Sequence, residues 1–150
     1  MAETCGFYWI IENKLAGSGY PGSCLDWLYN AQGIRALLSL QPLTPDDLLQ
    51  AQQLGYQINT VAIADFTAGS PKQRQMAVEG IVEFQKKNLP TLVHCQGGLG
   101  RTGMILALYL VQHKGVSPKS AISQIRRIRK GSIEPNTGQE EAIFAAQDEN

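Results

Sequence analysis

The chain of 150 residues has no apolar run near the roughly 18 that a membrane-spanning helix needs. Its opening residues, Met1 to Phe7, lack the basic and apolar regions of a secretory signal. Both absences predict a soluble, cytoplasmic protein with no membrane partner. Cysteine is scarce: Cys5, Cys24 and Cys95 make an odd number without a CxxC pair. Neither a disulfide framework nor a zinc site is expected, and each cysteine is read as a free thiol. Histidine is scarcer still, with only His94 and His113, so no ligand cluster points to a metal. No internal repeat, low-complexity tract or interdomain linker divides the chain. With 43% hydrophobic residues it can bury a sizeable core, and residues 1–150 are read as one domain.

Acidic residues are missing from one long stretch. Net charge is zero, yet residues 85–132 contain no Asp or Glu. They do contain Lys86, Lys87, Arg101, Lys114, Lys119, Arg126, Arg127, Arg129 and Lys130, nine of the thirteen basic side chains. Some of these are the wet faces of helices, but the regional bias sets up a positive field that draws in an anionic ligand.

Residues 7–11 are aromatic and β-branched and read as a strand. Residues 15–18 give a second short one, closed by Gly17, Gly19 and Pro21, so the N-terminal region is expected to form an edge hairpin. A helix is predicted over 23–32, ended by Gly33, and the apolar run 34–40 reads as a strand covered on both faces. Thr44, Pro45, Asp46 and Asp47 open a helix that Gly55 ends. Residues 57–63 give a further strand, with a loop over 64–69. Ser70 and Gln73 form a capping-box pattern for a helix to Lys87. Residues 91–94 read as a short buried strand. A glycine-rich turn follows, then an apolar helix over 102–113, a helix from Ser117-Pro118 to Lys130, and a last one from about Gln139. This alternation predicts a single-domain α/β fold, a mostly parallel sheet of four to five strands with helices on both faces. Sites in such sheets form at the carboxyl ends of strands, where Asp65 and Cys95 both fall.

The segment that carries chemistry is His94-Cys95-Gln96-Gly97-Gly98-Leu99-Gly100-Arg101-Thr102. Gly98, Gly100 and Gly103 match a dinucleotide fingerprint, but no acidic residue for a ribose follows before Glu134. A P-loop fails because Met104 stands where its lysine belongs. An ordinary buried thiol is the remaining alternative for Cys95, and its surroundings weigh against it. Three glycines between Cys95 and Arg101 let the backbone curl with its N–H groups inward. The helix behind adds its positive end, which makes an anion cradle that also stabilises a thiolate. Arg101, in the first helical turn, can hold two phosphate oxygens with its planar fork.

His-Cys-x5-Arg followed by Ser or Thr is the signature of the cysteine-dependent protein tyrosine phosphatases, and the chain matches it without departure. Leu15-Ala16-Gly17, Ala64-Asp65-Phe66, and the run from Ile125 through Arg129 to Gly131-Ser132-Ile133-Glu134 make it resemble the small atypical dual-specificity phosphatases. The resemblance implies the cysteine phosphatase fold and a metal-independent protein phosphatase without cofactor. In it Cys95 is the nucleophile, Asp65 the general acid and Thr102 the hydroxyl that stabilises the departing thiolate. Residues Gln96, Gly97, Gly98, Leu99, Gly100 and Arg101 would bind substrate. Supporting roles fall to His94, Glu134 and Gln139: loop tuning, orientation or an arginine pair, and positioning of the attacking water. The implied partners are phosphorylated proteins, with no nucleic acid, and a monomer is favoured. A shallow pocket, with no tyrosine-bearing recognition segment over 22–57 of the kind that deepens the pocket in larger tyrosine-specific members, fits phosphotyrosine and also phosphoserine or phosphothreonine. A phosphoinositide or RNA 5′-phosphatase, or a phosphopeptide-binding module without turnover, are the alternatives. The neutral residues inside the loop argue against the first pair, and the presence of both Cys95 and Arg101 against the last.

Overall fold

The computed structural model describes residues 4–148. Strands β1 (Tyr8–Ile11) and β2 (Leu15–Ser18) form the hairpin, and a 3-10 turn (Gly22–Cys24) leads into α1 (Leu25–Asn30). Then follow β3 (Ala36–Ser39), α2 (Pro45–Leu54), β4 (Gln57–Thr60), α3 (Pro71–Lys86) and β5 (Thr91–His94). Helices α4 (Gly100–Lys114), α5 (Pro118–Ile128) and α6 (Gln139–Asp148) complete the order.

Helices α2, α3 and α5 each open on a hydroxyl residue followed by proline. Thr44, Ser70 and Ser117 accept from the N–H three residues on, and Ser70 with Gln73 makes the full capping box. These caps satisfy donors that an open helix end would leave bare. Gly55 ends α2 in the left-handed conformation.

The sheet runs β1-β2-β5-β3-β4, antiparallel only at the β1/β2 edge and parallel elsewhere. Central strand β5 lies between β2 and β3, with Val93 level with Gly17 and Leu38. Alternation divides the sheet residues between two faces. Leu15, Ala36, Leu38 and Val93 pack with the residues of α3 to α6, while Ala16, Leu37 and Leu92 pack with those of α1 and α2. Helix α4 is buried along most of its length, which explains its all-round apolar sequence.

The structure shortens several elements. The run 34–40 is strand only over Ala36–Ser39, and 57–63 only over Gln57–Thr60. Val61 and Ile63 still donate to Ser39 and Leu40, so this chain crosses the carboxyl end of the sheet and delivers residue 65 there. The predicted helix over 23–32 divides into the 3-10 turn and α1, and α4 starts at Gly100 rather than 102.

Cysteine pairing departs from the expectation. Cys5 and Cys24 form a disulfide with their Cα atoms 6.4 Å apart, and Cys95 is the free cysteine. An odd count leaves one thiol over but does not prevent two from pairing, and the β1/β2 hairpin returns the chain to residue 5. The cross-link, at a sequence separation of 19, contributes about 3 kcal/mol through the unfolded chain. Adding a reductant is therefore expected to lower the melting temperature by roughly 5–10 °C. An unchanged melting curve would show that the bridge adds nothing.

Candidate active site

In a trans peptide the carbonyl of one residue and the N–H of the next point opposite ways. The turn between β5 and α4 uses this repeatedly. The Cys95 carbonyl faces His94 Nδ1 at 3.4 Å, and the Gln96 carbonyl accepts from the Tyr20 N–H at 2.9 Å. The Gly98 carbonyl accepts from the Tyr8 hydroxyl at 3.3 Å, and that of Leu99 from the N–H groups of Gly103 and Ile133. Holding these four carbonyls outward turns the N–H groups of Gln96, Gly97, Leu99 and Gly100 inward. The Gly98 N–H points the same way and donates to Cys95 Sγ at 3.2 Å. The result is a ring of donors around a thiol that is only 2% exposed.

The glycines serve different needs. Gly98 has φ +76°, and a Cβ there would lie 2.5 Å from Gly19 N. Any side chain at Gly100 would collide with the Glu134 carboxylate. Gly17, level with Tyr8 across the hairpin, leaves the space in which the Tyr8 ring reaches the loop.

Arg101 is 2% exposed. Its Nη1 donates to the Ile63 carbonyl at 2.8 Å and to Gln41 Oε1 at 3.0 Å, which fixes the guanidinium beneath the loop. Nε is buried without a partner among the described residues, a donor available to an anion. Nη2 lies 3.5 Å from Asp65 Oδ1. Asp65 itself is half-exposed and accepts from the Phe66 N–H, where Phe66 takes φ +59° and projects outward. The loop that carries Asp65 is held from α3 by Arg74, which donates to the carbonyls of Ala68 and Gly69.

Thr102 has a buried hydroxyl without a partner among the described residues, in the same first turn as Arg101. Glu134 stands over Gly100 and takes part in no ion pair among the described residues. The arginine partner goes instead to Glu140, from Arg126, which also donates to the carbonyls of Ser132 and Ile133. Ile133, a β-branched residue at φ +63°, is strained into that turn. Gln139 is fully buried, with both ends of its amide engaged. All the residues read from the sequence thus gather at one end of the sheet. Those missed are Tyr8, Tyr20, Ser39 and Gln41, which act on the loop through space and carry no local signature.

Burial holds His94 down to about 4, partly offset by the bond to the Cys95 carbonyl. The ring is therefore neutral near pH 7. With its proton on Nδ1 it accepts at Nε2 from the Ser39 hydroxyl, 2.6 Å away. Burial, and next the charge of Cys95, push the Tyr8 phenol up, which keeps it a donor to the loop.

Fold and loop together are those of the cysteine-based dual-specificity phosphatase superfamily. Residues 4–143 match the family model of the Swiss Army Knife protein DSP-PTPase phosphatase domain, PTP-SAK, and the chain belongs to that family. It is 34% identical over 90 residues to the phosphatidylglycerophosphate phosphatase PTPMT1 of Arabidopsis thaliana, covering 59% of this chain and 26% of the relative. It is 28% identical over 128 residues to human dual specificity protein phosphatase 9, covering 85% of this chain and 32% of the relative. The chain thus spans only about a quarter to a third of these relatives. Among solved structures, Tk-PTP in the active form superposes with a TM-score of 0.82 at 26% identity, covering 99% of both chains. PTPMT1 in complex with PI(5)P shares the fold, with a TM-score of 0.81 at 19% identity over 95% of both chains.

The His94 pKa carries a sign for stability. Unfolded histidine protonates near 6.5, whereas His94 resists until about 4. Between these values the unfolded chain binds the extra proton, so stability falls as pH drops and is unaffected above 6.5. Chemical denaturation across this range is expected to lose about 3 kcal/mol more in the wild type than in His94→Asn. Parallel curves for the two proteins would contradict the neutral buried ring.

Proposed function

We propose that the chain hydrolyses phosphotyrosine, and also phosphoserine and phosphothreonine, in protein substrates by way of a cysteinyl-phosphate. The observation that carries the reading is the Gly98 N–H donating to the buried Cys95 Sγ in a loop whose other carbonyls are held from outside, with the buried guanidinium of Arg101 in the helical turn that follows. In the first step the Cys95 thiolate attacks phosphorus, an S–P bond forms and the P–O ester bond breaks. Asp65 gives its proton to the leaving oxygen. Loop amides and Arg101 hold the equatorial oxygens, where negative charge develops. In the second step water attacks phosphorus and yields its proton to the Asp65 carboxylate. The S–P electrons return to sulfur, and the Thr102 hydroxyl stabilises the thiolate that leaves. No step calls for a metal.

A protein substrate is favoured because Gln96 to Gly100 supply no charged side chain to grip a polyanionic headgroup. The second reading, a phospholipid or phosphoinositide monoester, is supported by the likeness to PTPMT1.

Phosphate release from para-nitrophenyl phosphate, phosphopeptides and PI(5)P, in excess EDTA, tests these assignments. The wild type is expected to turn over, Cys95→Ser to be inactive, and Asp65→Ala to lose about 10² to 10⁴ in kcat. Turnover by Cys95→Ser would defeat the nucleophile assignment. Preference for PI(5)P over phosphopeptides would replace the substrate class.

A further inference from the structure

Gln139, the first residue of α6, has no exposed surface, and its amide spans two loops of the site. Oε1 accepts from the Glu134 N–H at 2.8 Å, and Nε2 donates to the Thr67 carbonyl at 3.0 Å. The orientation is fixed by its partners, since one is a donor and the other an acceptor. Thr67 lies two residues beyond Asp65. The turn that carries Gln139 is tied down separately, by Thr137 Oγ1 donating to the Glu134 carbonyl and accepting from the Gln139 N–H. A Cβ at Gly138 would sit 3.7 Å from Ala68, so the turn lies directly against the acid loop.

Asp65 needs this support. Its own link to Arg101 is 3.5 Å long with the carboxylate half-exposed, a kind of pair that adds little in water. Arg74 braces only the far end of the loop, at Ala68 and Gly69. A fully buried amide that joins Thr67 to the Glu134 turn over the N-terminus of α4 is the stronger constraint, because breaking it leaves buried polar groups without partners.

We propose that Gln139 is a positioning residue that latches the Asp65 loop over Arg101, and so acts in the first chemical step rather than by orienting the water of the second. The inference rests on Asp65 as the general acid. A misplaced acid is felt most by poor leaving groups, which need the proton, and least by good ones. A residue that orients water changes breakdown of the cysteinyl-phosphate and leaves kcat/KM alone, because kcat/KM reports only steps through the first irreversible one.

The test compares kcat/KM across aryl phosphates, from difluoromethylumbelliferyl phosphate to phenyl phosphate, for wild type, Asp65→Asn, Gln139→Met and Gln139→Asn. Asn is too short to reach both loops and serves if the Met variant fails to fold. Each Gln139 variant is expected to lose about 10- to 30-fold with phenyl phosphate and under about 3-fold with the good leaving group, a milder copy of the Asp65→Asn pattern. An equal loss along the series would overturn the latch. So would unchanged kcat/KM with reduced kcat and a burst of phenol. If Asp65→Asn is itself flat along the series, the acid assignment falls and the latch with it. A steep Asp65→Asn series beside a flat Gln139 series removes the latch alone.

Discussion

The site depends on outward restraint of the carbonyl groups between Cys95 and Leu99. A short loop between a strand and a helix does not aim its N–H groups at one point by default, because each peptide can rotate. Here the carbonyls of Cys95, Gln96, Gly98 and Leu99 are each engaged from outside, by the His94 ring, the Tyr20 N–H, the Tyr8 hydroxyl, and the Ile133 and Gly103 N–H groups. The donors left facing inward are fixed before any anion arrives. Preorganised donors of this kind stabilise developing charge without reorganising during the reaction.

The surrounding structure serves that restraint. Tyr20 is itself anchored at the start of α2, where its hydroxyl donates to Asp47 at 2.6 Å and accepts from the Thr44 N–H. The Gly19 N–H donates to the Cys5 carbonyl, and the Cys5–Cys24 bridge ties both ends of this segment together. An open cleft of about 640 Å³ borders the loop here, walled by Gln96, Gly97, Tyr20, Ser23 and Arg129. On the other side, Arg126 holds the carbonyls of Ser132 and Ile133, and the strained Ile133 backbone delivers its N–H to Leu99. The edge hairpin and the C-terminal turn thus grip one loop from two directions.

Local signals made much of this legible in the sequence. Thr44, Ser70 and Ser117 cap helices as their neighbours predict, because capping involves residues only three apart. The spacing from Cys95 to Arg101 marks the cradle for the same reason, since loop and helix start are contiguous. Strand ends were less legible: apolar Val61 and Ile63 are buried, yet by crossing the sheet's end rather than by pairing in it. The disulfide, the Tyr8 and Tyr20 anchors and the Ser39–His94 bond depend on contacts between residues 19 to 90 positions apart. Such pairs have no period or spacing to read. Gln139 stands between these cases: its presence at the site was readable, while the two loops it joins became visible only in three dimensions.

The most direct test of the central claim is to quench the enzyme rapidly during turnover of a good aryl phosphate and locate the phosphoryl group by peptide mass spectrometry. A phosphoryl adduct is expected on the peptide that carries Cys95, formed and consumed at rates compatible with turnover. Product formation with the adduct on another residue, or with no adduct at any time on a path through direct attack of water, would contradict it.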